Sequence, residues 1–123
     1  MQRDTMIQWL SDLAEEARQY AQVYHTWLEA GRGENPVKRR LLERNMMDKQ
    51  AQLEIFRRMG ALNCNSAQEE EPQQVPADLL LYNEIENLAV YEALVQNAGD
   101  SPDSRMLLIK QLQIIQRLEA YQI

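Results

Sequence analysis

Residues 6–28, MIQWLSDLAEEARQYAQVYHTWL, decide the fold. Ile7, Leu10, Ala14, Ala17, Ala21, Tyr24 and Leu28 recur at alternating steps of three and four, and Met6, Leu13, Tyr20 and Trp27 form a second row beside them. Only an α-helix brings those spacings onto one side. The resulting stripe is wide, as on a helix that buries one face in a bundle. The helix is predicted to begin near Asp4 or Thr5, either of which can cap free amides, and to end before Gly31.

Working outward, the same logic yields three more helices. Asn35 and Pro36 form a start signal, a capping side chain followed by a residue that needs no amide hydrogen, and Gly60 is the stop. Leu42, Met46, Leu53 and Phe56, with Leu41, Ile55 and Met59 beside them, line one side of this second helix; its middle, Asn45 to Gln52, is polar. A third helix opens at or just after Pro76 and runs to about Ala98, with Gly99 as the stop and a seam of Leu81, Glu84, Leu88, Tyr91, Val95 and Ala98. The fourth repeats the start signal at Ser101 and Pro102, with Leu108, Leu112, Ile115 and Leu118 inside and Leu107, Ile114 and Tyr121 flanking.

The expected fold class is therefore all-α: a four-helix bundle of two antiparallel hairpins, residues 4–60 and 77–123, within one domain spanning 1–123. The connecting stretch, 61–76, holds Asn, Ser, three consecutive Glu (Glu69, Glu70, Glu71), Pro72 and Gln, a composition that cannot bury enough apolar surface to order itself. Extended, it reaches roughly 50 Å, against roughly 36 Å for the second helix. It can therefore cross the whole bundle and set the second and third helices parallel, although length alone does not require it. Pro36 and Pro102 stand at equivalent places, as do Leu41–Leu42 and Leu107–Leu108, a weak internal symmetry consistent with duplication of a hairpin.

Composition narrows the function. Of 123 residues 45% are apolar and 26% charged, and the net charge of −6 disfavours a nucleic-acid partner. Lys38, Arg39, Arg40 and Arg44 read as a solvated basic helix face. No run approaches membrane-span length and the first ten residues lack a signal-peptide core, so no membrane partner and a cytoplasmic location are expected. Cys64, the single cysteine, has no basic neighbour to activate it. Gly31-Arg-Gly33 is too short for a phosphate loop. His25, the single histidine, reads as a half-buried packing residue. The tyrosines Tyr20, Tyr24, Tyr82, Tyr91 and Tyr121, with Trp9 and Trp27, read as core or interface, and the five methionines after Met1, Met6, Met46, Met47, Met59 and Met106, as adaptable contacts.

Two hairpins, weak symmetry and a long central connection resemble the ferritin-like superfamily, especially its rubrerythrin-like members. Glu84-Ile-Glu-Asn-Leu-Ala-Val-Tyr-Glu-Ala-Leu94 with Ala98-Gly-Asp100 is similar to that family's third helix and following turn, and Leu41–Met59 to its second helix. The resemblance implies two metal ions held by a Glu from each of two helices and a Glu-x-x-His from each of the others. This chain has no Glu-x-x-His. Asp48-Lys-Gln-Ala51 and Gln113-Ile-Ile-Gln116 stand where those motifs would be, Ala14, Ala17 and Ala21 occupy the seam of the first helix, and Glu15 and Glu16 point away from it. Only Glu84 falls on a core seam.

A lone carboxylate there must be wetted, paired or protonated. The favoured reading places Glu84 at the seam's edge in water. The others are an ion pair, for which Lys49 is the available partner, and a remnant metal or ligand site. The leading functional expectation is a non-catalytic ferritin-like bundle acting through protein contacts, as a homodimer or with another helical protein, through Trp9, Met46 and Met47. It needs no catalytic residue and no cofactor. One alternative is a metalloprotein with an atypical carboxylate site at Glu84, Asp48 and Gln113; another is a small acidic chaperone for a secreted partner.

Overall fold

The computed structural model describes residues 3–31, 35–60, 75–97 and 101–122. These hold four helices, α1 (Arg3–Glu29), α2 (Pro36–Arg58), α3 (Ala77–Asn97) and α4 (Pro102–Tyr121), and no strand among the described residues. Ala98, Gly99 and most of the connecting segment, Cys64 included, lie outside the described residues.

Local chemistry explains the helix ends. The Lys38 amide donates to Asn35 Oδ1 at 2.8 Å, and the Ser104 amide donates to Ser101 Oγ at 3.1 Å, satisfying amides that the first turn leaves without partners. Pro36 and Pro102 take first positions, where no amide is needed. After α2 the chain turns at Gly60 with φ +77°, a left-handed conformation that glycine adopts without Cβ strain.

Helix α1 packs on α2, α3 on α4, α2 on α4 and α1 on α3. The apolar core divides into two clusters. One holds Leu10, Leu13, Ala14 and Ala17 of α1, Ile55 and Phe56 of α2, Tyr91 and Leu94 of α3 and Leu107 of α4. The other holds Tyr20, Val23, Tyr24 and Trp27 of α1, Leu42 of α2, Leu80 of α3 and Ile114 and Leu118 of α4. The first cluster thus draws on the beginnings of α1 and α4 and the ends of α2 and α3; the second draws on the opposite halves.

Several seams differ from expectation. On α3 the buried residues are Leu80, Glu84, Tyr91 and Leu94, with Leu81, Leu88 and Val95 only half-buried. On α4 the buried side runs through Ser104, Leu107, Gln111, Ile114, Ile115 and Leu118, and Leu112, expected inside, is 41% exposed. The α4 face is turned part of the way toward Leu107, Gln111 and Ile114, while Ile115 and Leu118 stay inside as expected. Ile7 is exposed. His25 is exposed rather than half-buried, with Nε2 3.0 Å from Glu29 one turn on. Val75, assigned to the linker, packs against the second cluster.

Candidate functional site

Between the two apolar clusters the bundle is polar. Lys49 on α2, Glu84 on α3 and Gln111 on α4 are fully enclosed, with Gln52 and Asn45 of α2 above and below them. These α2 residues lie at i, i+4 and i+7 of one helix face, so all three point at the same neighbours. Expectation placed Glu84 at a wet seam edge; the structure buries it completely and supplies the ion pair instead.

The geometry is a closed exchange of donors and acceptors. Lys49 Nζ stands 2.8 Å from Glu84 Oε1 and donates to Gln111 Oε1 at 2.9 Å. Gln111 Nε2 donates to Glu84 Oε1 at 3.1 Å and to the Glu84 carbonyl at 2.8 Å. Gln52 Nε2 donates to Gln111 Oε1 at 3.2 Å and to the Leu107 carbonyl at 3.1 Å, and Asn45 Nδ2 donates to the Ile114 carbonyl at 3.2 Å. The ammonium also lies 5.8 and 5.9 Å from the ring centres of Tyr20 and Tyr91, within cation–π range. Two ions removed from water cost several kcal/mol each, of the order set by burial in a low dielectric, and such a pair persists only when its geometry and added hydrogen bonds compensate. The two glutamines and two tyrosine rings are that compensation.

Compensation is incomplete. Tyr24 Oη, Asn45 Oδ1, Gln52 Oε1 and Glu84 Oε2 are buried without a well-formed hydrogen bond. The Tyr24 hydroxyl nevertheless lies close enough to Asn45 and Glu84 to feel both. Burial, and then the Glu84 charge, push the Tyr24 and Tyr91 phenols well above their ordinary range. Burial followed by Glu16 and Glu84 takes Tyr20 up to about 12. All three remain neutral phenols at physiological pH, suited to donating hydrogen bonds and not to acting as bases.

A second polar group sits outside this centre. Asp48 takes Lys110 Nζ at 3.3 Å and the Arg117 guanidinium, fastening α2 to α4. Between α1 and α3, Trp9, Asp12, Leu13, Glu16, Asn87 and Val90 line a surface pocket of about 220 Å³. Asn87 Nδ2 donates to Glu16 there. Desolvation raises the Glu16 carboxyl above its usual range, with the Asn87 bond opposing.

The residues singled out from sequence are dispersed. Glu84 is in the central layer, Asp48 is committed to two α4 cations, and Gln113 is exposed on α4; the three share no hydrogen bond. Among the described residues no three of His, Cys, Asp or Glu are grouped as a cation would require. Trp9 and Met46 are half-buried against the two apolar clusters, and Met47 is 58% exposed. Sequence reasoning missed Gln111, Gln52 and Asn45. Their only signal was position: polar residues at core spacing in the polar middle of α2, and one turn from Leu107 in α4. No helix is long and apolar enough to cross a membrane among the described residues. No protein-family model, curated protein or solved structure matches this chain.

Proposed function

We propose that this protein is a non-catalytic, ferritin-like helical bundle that acts through protein contacts, as a homodimer. Chain direction supports the arrangement. The apolar cluster built from the starts of α1 and α4 and the ends of α2 and α3 fits two antiparallel hairpins joined by a crossover, with α2 parallel to α3.

One observation carries the functional reading: the Lys49 ammonium, 2.8 Å from the carboxylate of Glu84 in the middle of the bundle. Carboxylates at a bundle centre can hold metal ions when they are numerous and anionic. Here the one carboxylate buried among the described residues already has a resident cation, locked by Gln111 and two aromatic rings. A second cation placed there would face the ammonium at short range in a low dielectric. The remaining side chains are amides and phenols with no activated nucleophile, which suits a scaffold and not a reaction centre.

The test is metal analysis of protein purified without chelator and then incubated with iron, manganese or zinc, beside Glu84→Gln. Less than a tenth of an equivalent retained by both proteins is expected. A stoichiometric ion that Glu84→Gln releases would overturn the reading. Light scattering at high protein concentration tests the dimer, and a strictly monomeric mass rejects that part.

A further inference from the structure

Trp9, Asp12 and Glu16 follow one another at helical spacing, so all three lie on one side of α1. That side looks toward Asn87 and Val90 of α3 across the slightest of the four helix packings, and the cavity of about 220 Å³ lies in this seam. Leu13 and Val90 give it apolar walls, and half-buried Trp9 adds an indole ring.

The charges decide what the cavity takes. Every other carboxylate that is at least partly buried among the described residues stands beside a basic side chain: Glu15 beside Arg18, Asp48 beside Lys110 and Arg117, Glu84 beside Lys49 and Asp103 beside Arg58. Glu16 is the exception. Its Oε2 accepts from the Asn87 amide, and Asp12 Oδ1 accepts from Gln8 Nε2 at 2.8 Å. Amides carry no charge, and these bonds leave Glu16 Oε1 and Asp12 Oδ2 unspent. The waist does not make good the deficit. Lys49 attracts Glu16 from a distance, and the Glu84 charge repels it more strongly. Two acids without a countercharge therefore face one cavity.

The lining also narrows the cation. A hard divalent ion needs about six or more oxygen ligands, and an indole and two aliphatic side chains supply none. An organic cation uses the whole lining. Its head meets the two carboxylates, its aliphatic stem lies on Leu13 and Val90, and an indole attracts a cation through its face. We infer that the α1–α3 cavity binds a small organic cation, an ammonium or guanidinium group on an aliphatic stem, held by Glu16 and Asp12 against Trp9. The site goes beyond the contact role proposed above and does not depend on the dimer. The same head and stem occur in free amines and in the arginine side chain of a partner.

The test is a titration of isotope-labelled protein at low salt with butylguanidinium and butylammonium chloride, read from the Trp9 indole and Asn87 side-chain amide resonances. Saturable shifts with a roughly millimolar Kd are expected, and none with butylurea, the neutral analogue. Glu16→Gln keeps an acceptor for Asn87, so its fold is retained, and it should weaken binding about tenfold or more. Trp9→Leu should weaken it about two- to fivefold, and Glu54→Gln on α2 should leave it unchanged. A blocked glycine–arginine–glycine peptide separates the two sources: tighter binding than butylguanidinium assigns the site to a partner's arginine, weaker binding to a free amine. Failure of both cations to saturate overturns the site. Equal binding of butylurea, or undiminished binding by Glu16→Gln, does the same.

Discussion

The two ends of the bundle and its waist solve the same packing problem with opposite chemistry. At the ends, leucine, isoleucine and aromatic rings fill the space between helices, with Tyr24 against Trp27 edge-on and Trp27 stacked on Tyr121 in one cluster and Phe56 against Tyr91 in the other. At the waist, Lys49, Glu84, Gln52 and Gln111 do so. Apolar contacts stabilise by area and tolerate small slips of one helix along another. A buried ion pair gains little net energy but punishes misalignment, because a slipped helix leaves a charge without its partner. The difference assigns most of the stability to the ends and the register of α2, α3 and α4 to the waist.

The largest effect should come from splitting the pair. Lys49→Met leaves Glu84 buried with no countercharge, and urea unfolding should show a loss of about 3–5 kcal/mol. Lys49→Met combined with Glu84→Leu removes both charges, and its stability should return to within about 1 kcal/mol of the parent or exceed it. If the single and double variants are equally mild, the waist is wet and the contrast with the ends disappears. If the double variant is stable yet gives broadened amide resonances, the register role is sharpened.

Next in size is the contrast within α4. Leu107 is fully enclosed in the first cluster, and Leu107→Ala should cost about 2–5 kcal/mol through lost burial and the cavity left behind. Leu112 faces outward in the single chain, so Leu112→Ala, measured dilute enough to hold the monomer, should cost less than about 1 kcal/mol. The reverse order would restore the seam that apolar periodicity alone suggests.

That seam shows how far the sequence is legible. Caps and stops depend on a few neighbouring residues, so Asn35–Pro36, Ser101–Pro102 and Gly60 could be read directly, and with them the four helices. The α1 stripe could be read too, since its outer face is plainly polar. Helices α3 and α4 carry apolar doublets, Leu80–Leu81 and Leu94–Val95 on one and Leu107–Leu108 and Ile114–Ile115 on the other, so two adjacent faces look equally good. Periodicity takes the face containing Leu112. The fold takes the face containing Gln111, because that amide completes the shell of Lys49 and Glu84 on two other helices. Single-helix patterns do not contain that information. Glu84 and its possible partner Lys49 could be named from the sequence; their enclosure depends on three helices meeting, which no one helix encodes.

The smallest effect concerns the boundary between waist and solvent. Glu16 is half-buried, and desolvation raises its carboxyl pKa; Asn87 opposes this, the Glu84 charge adds to it, Lys49 opposes and Asp12 adds. A carboxyl raised on folding holds its proton more tightly in the folded chain than in the unfolded one. Its ionisation therefore costs stability as pH climbs above the ordinary value near 4.5, and below that value the cost is absent. Glu16→Gln keeps an acceptor for Asn87 and removes the charge. Urea titrations should find it more stable than the parent at pH 7, by less than about 1 kcal/mol because water screens half the group, and the gap should close as pH falls toward 4. A variant less stable at pH 7 would mean that the Asn87 bond to the charged form outweighs desolvation. Glu16 would then belong with the well-compensated charges of the waist and not with its exposed margin.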